Sequence, residues 1–408
     1  MTRNERQLIA IQKWKDHKCK GTLVANTGFG KTKTAIDAIE RVQTKNPNVR
    51  VVIVVPTQIL KEQWITKLDE RGLVFNIEVL VLNTAAKRPF YCNMLVVDEV
   101  HRAAAEQLSK MFLNCKPKFI LGLTATYERL DGREKLILNK YCPVFDEINL
   151  EESELNGWTS PYKEYKVMID VDLTEYNKAN QIFLSNFSFF NFDWNTAMKA
   201  VQSDIFRKNY AKLTGFTVKE VTAHAFAWNK AMQFRKKFIA NHPKKIEIAK
   251  KILEARKNTK AITFNSSIKQ CEAYGFGYVI HSDKKKKENK AILDEFAKCG
   301  PGSVLHNSRM AKEGYDCPGL GLVIITGFNS DKTSKIQEIG RAVRFEEGKE
   351  AEIFTLVLKG CQDDKWYKVA SKGMPYIEVN EKELDSFLSG KKLNKTTKIQ
   401  EEFNGIRF

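Results

Sequence analysis

No run in this sequence approaches the ~18 consecutive apolar residues that a membrane-spanning helix requires, so no membrane partner is expected. The start, Met1-Thr2-Arg3-Asn4-Glu5-Arg6, has no apolar stretch of the kind that drives secretion. The eight cysteines are scattered, and none forms a Cys-x-x-Cys pair. That spacing argues against a disulfide framework or a zinc site and fits reduced thiols in a cytoplasm. Acidic residues are in deficit, 49 Asp and Glu against 67 Lys and Arg, which leaves a net charge of +18. Such an excess calls for a polyanionic partner, and nucleic acid fits it better than a membrane surface.

A chain of 408 residues suggests two to three domains, and 43% hydrophobic with 11% aromatic residues is enough for ordinary buried cores. The stretch Val24-Ala25-Asn26-Thr27-Gly28-Phe29-Gly30-Lys31-Thr32 organises the rest. A short apolar strand, Gly21 to Val24, precedes it, and a helix from Lys33 to Val42 is expected after it. A glycine-punctuated turn between strand and helix presents backbone N–H groups and a helix N-terminus to an anion. Lys31 can reach the β/γ-phosphates of a nucleotide, and the Thr32 hydroxyl can join a Mg²⁺ shell. Thr27, Gly28 and Gly30 complete the phosphate-binding loop. The full pattern has a glycine where this chain has Ala25, so the strict form is not met.

Three further apolar runs come at α/β spacing: Val51 to Val55, Met94 to Val97 and Lys118 to Gly122. Each reads as a strand buried on both faces, and each delivers polar residues at its C-terminal end, where doubly wound sheets bind ligands. The second of them ends in Asp98-Glu99-Val100-His101. Beside a phosphate loop, Asp98 would hold Mg²⁺ and Glu99 would orient the attacking water.

Four segments together resemble motifs I, Ia, II and III of the superfamily 2 helicases. They are Thr27 to Thr32, Val55-Pro56-Thr57 through Trp64, Asp98 to His101, and Leu123-Thr124-Ala125-Thr126. The continuation Tyr127-Glu128-Arg129-Leu130-Asp131-Gly132 is similar to the Rad25/XPB-like and UvsW-like branch, with Tyr127 in place of a proline. The resemblance implies that His101, Thr124 and Thr126 couple the two activities and that Gln7 reads adenine. It also implies that Thr57 meets nucleic acid.

Gly157-Trp158-Thr159-Ser160-Pro161 is turn-rich and marks the expected domain boundary, with a strand from Tyr165 to Leu173 after it. Residues 175–243 have no β-branched runs and read as helical. Phe183, Phe187, Phe190 and Trp194 share one helical face and read as core, whereas Phe189 and Phe192 fall off that face and could stack on bases. The basic residues from Lys230 to Lys237, with Lys244 and Lys245, either track a phosphate backbone or simply solvate a helix.

The second half repeats the α/β rhythm, with strands at Ala261 to Phe264, Tyr278 to His281, Ser303 to His306 and Leu322 to Ile325. Ser282 and Asp283 are candidate caps for a helix that opens with Lys284 to Lys287. Asn265-Ser266-Ser267 resembles motif IV, and Ser308 through Glu313-Gly314-Tyr315-Asp316-Cys317-Pro318 resembles motif V. By that resemblance Asn265, Ser266 and Ser308 meet nucleic acid and Asp316 meets the nucleotide. Gln337-Glu338-Ile339-Gly340-Arg341-Ala342-Val343-Arg344 matches motif VI throughout. Arg341 and Arg344 lie three apart on one helix face, where both guanidiniums can point at a γ-phosphate. Gly340 in mid-helix costs about 1 kcal/mol against alanine, which implies close packing there.

The expected architecture is α/β: two tandem RecA-like parallel-sheet domains, with a helical insertion at 175–243. The expected division is 1–157 for the first domain, 158–365 for the second, and 366–408 as a tail without assigned chemistry. The expected catalytic set is Glu99, Gln337, Arg341 and Arg344. Gln7, Thr27, Gly28, Gly30, Lys31, Thr32, Asp98 and Asp316 are expected to bind ATP, with Gln7 and Asp316 implied by the resemblance, and Thr32 with Asp98 is expected to hold Mg²⁺. The resemblance implies an ATP-dependent DNA helicase or translocase on forked or branched DNA. It also implies a monomer in a bacterial or phage-infected cytoplasm, since compact members of the branch occur in phages. An RNA helicase, the motor of a restriction complex and a non-motor ATP clamp stay open. No Pro-Asp…Glu-x-Lys nuclease signature supports the restriction reading.

Overall fold

Residues 20–148 form the first of two sheets in the computed structural model, which describes residues 1–127, 132–308, 317–327, 335, 339–340 and 350–401. Its strands are β1 (Lys20–Ala25), β2 (Val51–Val55), β3 (Ile77–Val81), β4 (Met94–Asp98), β5 (Phe119–Thr124) and β6 (Val144–Ile148). They lie in the order β3-β2-β4-β5-β1-β6, and every neighbouring pair is parallel. All residues of β2 and β4 are buried, as continuous β-branched runs covered on both faces should be. Three helices, α1 (Arg3–Asp16), α2 (Lys31–Lys45) and α3 (Gln58–Glu70), carry side chains to the strand ends of this sheet. A reciprocal cap between Thr2 and Glu5 starts α1, whose inner face buries Gln7, Ala10, Ile11 and Trp14.

The second sheet has eight strands: β7 (Tyr162–Ile169), β8 (Lys260–Phe264), β9 (Tyr278–Ile280), β10 (Val304–Asn307), β11 (Leu320–Ile325), β12 (Ala351–Leu358), β13 (Pro375–Asn380) and β14 (Lys398–Ile399). The order is β14-β13-β7-β12-β11-β8-β10-β9, parallel except for the terminal β13–β14 pair. The chain therefore forms two parallel-sheet α/β lobes with a helical insertion. Among the described residues no helix is long and apolar enough to cross a membrane.

The fold departs from the sequence expectations at several points. The strand expected at Tyr165 to Leu173 starts three residues earlier and ends four residues earlier, at Tyr162–Ile169. Beyond it, Asp172 accepts hydrogen bonds from Thr174 N and Oγ1 and opens the helix Thr174–Ser188. The stretch from 366, expected to be a tail, supplies β13, which pairs with β7. Its buried Tyr376 and Val379 are too few among charged neighbours to stand out as a strand. Lys285, rather than Ser282 or Asp283, occupies the N-cap of the helix Lys286–Lys298, without a side-chain cap.

The insertion consists of the helices Thr174–Ser188, Trp194–Gln202, Asp204–Thr214 and Val218–Asn241. Phe183, Phe187, Phe190 and Trp228 are its buried centre. Phe189 stacks on His224 with ring centroids 4.0 Å apart, so of the two off-face phenylalanines only Phe192, 51% exposed, faces solvent.

Two of the basic residues that the sequence leaves open as phosphate contacts or as a solvated helix face are structural instead. The Arg235 guanidinium is buried 4.1 Å from the centre of the Phe183 ring and bonded to Gln362. Lys245 is wholly buried, 2.7 Å from Asp363, and donates to Thr326 O at 2.8 Å. Burial pulls the Asp363 carboxyl upward, and Lys245 opposes that. Removing one member of a buried pair leaves an uncompensated charge. Lys245→Met should therefore lower stability by about 3–5 kcal/mol in chemical denaturation. Adding Asp363→Leu should recover most of the loss, and a loss as small as a surface ion pair gives would contradict the burial of this pair.

Candidate nucleotide site

β1 ends at Ala25 and α2 starts at Lys31, so the loop between them closes in five residues. Gly28 and Gly30 take φ of +96° and +95°, the left-handed region that side chains disfavour. Ala25, where the strict motif has glycine, is the buried last residue of an extended strand, so its methyl group is accommodated. A Cβ on Gly30 would fall 2.5 Å from Gln7 Nε2. That amide, carried by α1, donates to Phe29 O at 2.8 Å and ties α1 to the loop. From the other side Trp158 packs on Phe29 with ring centroids 5.8 Å apart, and Ser153 Oγ donates to Asn26 Oδ1 at 2.7 Å.

Lys31 Nζ donates to Ala25 O at 2.8 Å and reaches Asn26 O at 3.4 Å, so the ammonium lies over the loop. Desolvation pulls its pKa down, while Glu99 and Asp98 push it up. Across the loop β4 delivers Asp98, which is 9% exposed. Burial, and then the neighbouring Glu99, push the Asp98 carboxyl up to about 6, against Trp64 and Lys31. Trp64 Nε1 on α3 donates to Asp98 Oδ2 at 2.9 Å, and Glu99 N donates to Asp98 Oδ1 at 3.1 Å. Glu99 itself sits at φ 49°, ψ 52°, a conformation rare for a side-chain-bearing residue and concentrated at functional turns.

Glu99 Oε2 is buried with no hydrogen-bond partner and lies 3.5 Å from His101 Nδ1. His101 Nδ1 is also 2.9 Å from Thr124 Oγ1. The Thr124 hydroxyl donates its one proton to Thr126 O at 2.7 Å and accepts from Thr126 N at 3.1 Å. It must therefore accept from His101, which fixes the proton on Nδ1. His101, Thr124 and Thr126 thus form a hydrogen-bonded chain across the ends of β4 and β5, with Glu99 3.5 Å from its His101 end.

Mg²⁺ takes hard oxygen ligands and keeps several waters. The Thr32 hydroxyl at the start of α2 and the Asp98 carboxylate at the end of β4 are such donors, on elements that meet at the loop. The unpartnered Glu99 oxygen beside them suits a water, so these residues fit the ion.

The second lobe comes to the same loop. Gly340 is helical, and a Cβ there would fall 2.3 Å from Thr27 Cβ. The glycine expected to allow close packing meets the phosphate loop itself. Gln337, Arg341, Arg344 and Asp316 lie outside the described residues.

Beyond the C-terminal end of β2, Thr57 caps α3, accepting from Leu60 N at 3.3 Å. Ser266 and Ser308 come after β8 and β10 and are half-buried. Asn265 departs from its expected role. It is 2% exposed, its amide donates to Thr263 Oγ1 at 2.8 Å, and its carbonyl accepts from Tyr274 and Thr326. A side chain so committed within the fold is not presented to a ligand. Trp64 is the site residue that the sequence conceals. Its spacing is that of an apolar helix position, and no spacing rule shows that its indole N–H ends on a carboxylate.

Residues 244–346 match the family described as helicase conserved C-terminal domain. Residues 1–84 and 74–129 match the family described as type III restriction enzyme, res subunit. The chain is 27% identical over 377 residues to the DNA 3'-5' translocase XPB2 of Sulfurisphaera tokodaii, covering 88% of this chain and 82% of that protein. It is 24% identical over 350 residues to the putative ATP-dependent RNA helicase L396 of Acanthamoeba polyphaga mimivirus, covering 80% of this chain but 57% of the relative. Its fold is similar to that of the Pyrococcus furiosus Hef helicase domain, with a TM-score of 0.55 and 18% identity over 89% of this chain and 97% of the other. The loop, the acidic strand end and the glycine of the second lobe thus fall within or beside the two family matches along one chain. The chain belongs to the superfamily 2 helicases, and it is an ATP-dependent helicase.

Proposed function

We propose that this enzyme is an ATP-dependent DNA helicase or translocase of the XPB-like branch, coupling hydrolysis to unwinding or branch migration of forked or branched DNA. Replication, recombination or repair would be its setting. The observation that carries the reading is the approach of Gly340 to Thr27, which brings the second lobe onto the phosphate loop. A relative named as a DNA translocase, aligned over 88% of the chain, favours DNA, and a net charge of +18 suits a nucleic acid of either kind. The second reading is an RNA helicase, favoured by the relative L396. A restriction-type motor rests on the first-lobe family description alone.

In this reading residues 1–157 form the nucleotide-holding lobe and residues from 158 the closing lobe. Lys31 neutralises the β/γ-phosphates, Gly28 and Gly30 let the backbone approach them, and Gln7 offers its carbonyl oxygen to the base. Thr32 and Asp98 hold Mg²⁺, which when bound draws charge from the phosphate oxygens. Glu99 orients the attacking water. Gln337, Arg341 and Arg344 complete the site from the second lobe, with Asp316 on the nucleotide side. The chain through His101, Thr124 and Thr126 links that event to the rim where Thr57, Ser266 and Ser308 meet nucleic-acid phosphates.

ATPase rates measured side by side with forked DNA, duplex, single-stranded DNA and RNA test the substrate. Forked DNA should stimulate most, and stimulation by RNA alone would replace the DNA reading with the RNA one. Glu99→Gln keeps the shape of the side chain but loses the charged oxygen. Turnover should fall by at least ~10²-fold while ATP binding persists, giving ATP-trapped complexes on DNA in a filter-binding assay. Normal turnover would remove Glu99 from its role. Gly340→Val should keep the lobes from meeting. A misplacement of about 1 Å can lower a rate ~10²-fold, and ATPase should fall by that order with the melting temperature nearly unchanged. Intact hydrolysis in Gly340→Val would contradict closure of the second lobe on the loop.

A further inference from the structure

The helix α3 has three attachments. Its N-cap is Thr57, at the rim proposed to face nucleic acid. Its first turns carry Glu62, 3.5 Å from Lys290 of the second lobe. Two turns from the cap, Trp64 is buried to 1% and donates its only polar atom to Asp98 Oδ2 at 2.9 Å. Seven residues of helix span about 10 Å, so one rigid element carries both the Thr57 cap and the donor to Asp98.

The choice of tryptophan is informative. An apolar position on α3 that only filled the core would accept leucine or phenylalanine. Here the large ring delivers a directed donor to a carboxylate oxygen. Glu99 N takes the other oxygen, so the carboxylate plane is set by one donor on each side. A hydrogen bond to a charged group is among the stronger ones available to a protein.

We propose that Trp64 is a positioning residue, whose indole N–H orients the Asp98 carboxylate for Mg²⁺ and links that orientation to the placement of α3 by nucleic acid and the second lobe. This rests on the reading of Asp98 as a magnesium ligand. Motion of α3 when Thr57 or Glu62 changes partners moves the donor on Asp98 directly. The charged carboxylate then holds the ion well only in the arrangement where α3 is seated.

The test uses the full chain with Trp64→Phe, which keeps an aromatic ring and loses the donor. Binding of a non-hydrolysable ATP analogue is measured by titration calorimetry with Mg²⁺ and with EDTA, and ATPase with and without forked DNA. In the wild type Mg²⁺ should tighten binding. In Trp64→Phe that gain should shrink about tenfold, with affinity in EDTA unchanged and the fold-stimulation by DNA reduced. In an Asp98→Asn background the substitution should have no further effect on the Mg²⁺ gain. Benzothienylalanine installed at position 64 keeps the full ring shape and lacks only the N–H, so it should behave as Trp64→Phe even where the phenylalanine variant folds poorly. Equal losses with Mg²⁺ and EDTA, or a benzothienylalanine protein indistinguishable from wild type, would overturn the proposal. A wild type with no Mg²⁺-dependent gain would instead overturn the metal reading of Asp98, and the two failures are told apart by which protein shows them.

Discussion

Backbone must come close to backbone and side chains at the loop between β1 and α2, and the rest of the molecule is arranged around that constraint. Gly28 and Gly30 take left-handed φ, and a side chain on Gly30 would strike Gln7. Gly340, from the other lobe, has no room for a side chain against Thr27. The loop is therefore held on several sides: by α1 through Gln7, by the interlobe segment through Ser153 and Trp158, and by the second lobe through Gly340. A loop held in this way meets its ligand already shaped, so little ordering remains for the moment of binding.

Electrostatics at the site come from the same crowding. Asp98 and Glu99 are adjacent at the end of one buried strand, and burial together with their mutual repulsion raises the Asp98 carboxyl. Lys31 opposes that, and its own ammonium is pulled down by desolvation. Each charge is thus held against its preference for water, which suits a place where a further cation and a polyphosphate are to be bound. Charge elsewhere is handled differently. Lys245 with Asp363, and Lys335 with Glu164, are buried pairs that tie the helix Gln362–Ala370 and the first strand of the second lobe into one core.

Parallel strands bring all their C-terminal ends to one rim of a sheet, so residues far apart in sequence become neighbours. Ala25, Thr57, Asp98 and Thr124 each follow or end such a strand. Recognising the buried strands is therefore enough to locate the site. Val51–Val55 and Met94–Asp98 are legible because burial on both faces selects an unbroken β-branched run. Strands β3, β6, β13 and β14 are not, because edge position or mixed burial dilutes that signal.

The glycine-punctuated loop, the adjacent carboxylates at a strand end, the two-sheet architecture and the helical insertion are legible in the sequence. Each depends on residue types at fixed local spacing, where short-range geometry leaves few alternatives. Tertiary structure alone decided which polar side chains are available. Lys245, Arg235 and Asn265 look like surface contacts in the sequence and are buried partners in the fold. Trp64 looks like core and proves to be a donor to Asp98. Hydrogen bonds and ion pairs between residues 34 or 118 positions apart depend on where whole elements pack, and no local pattern encodes that.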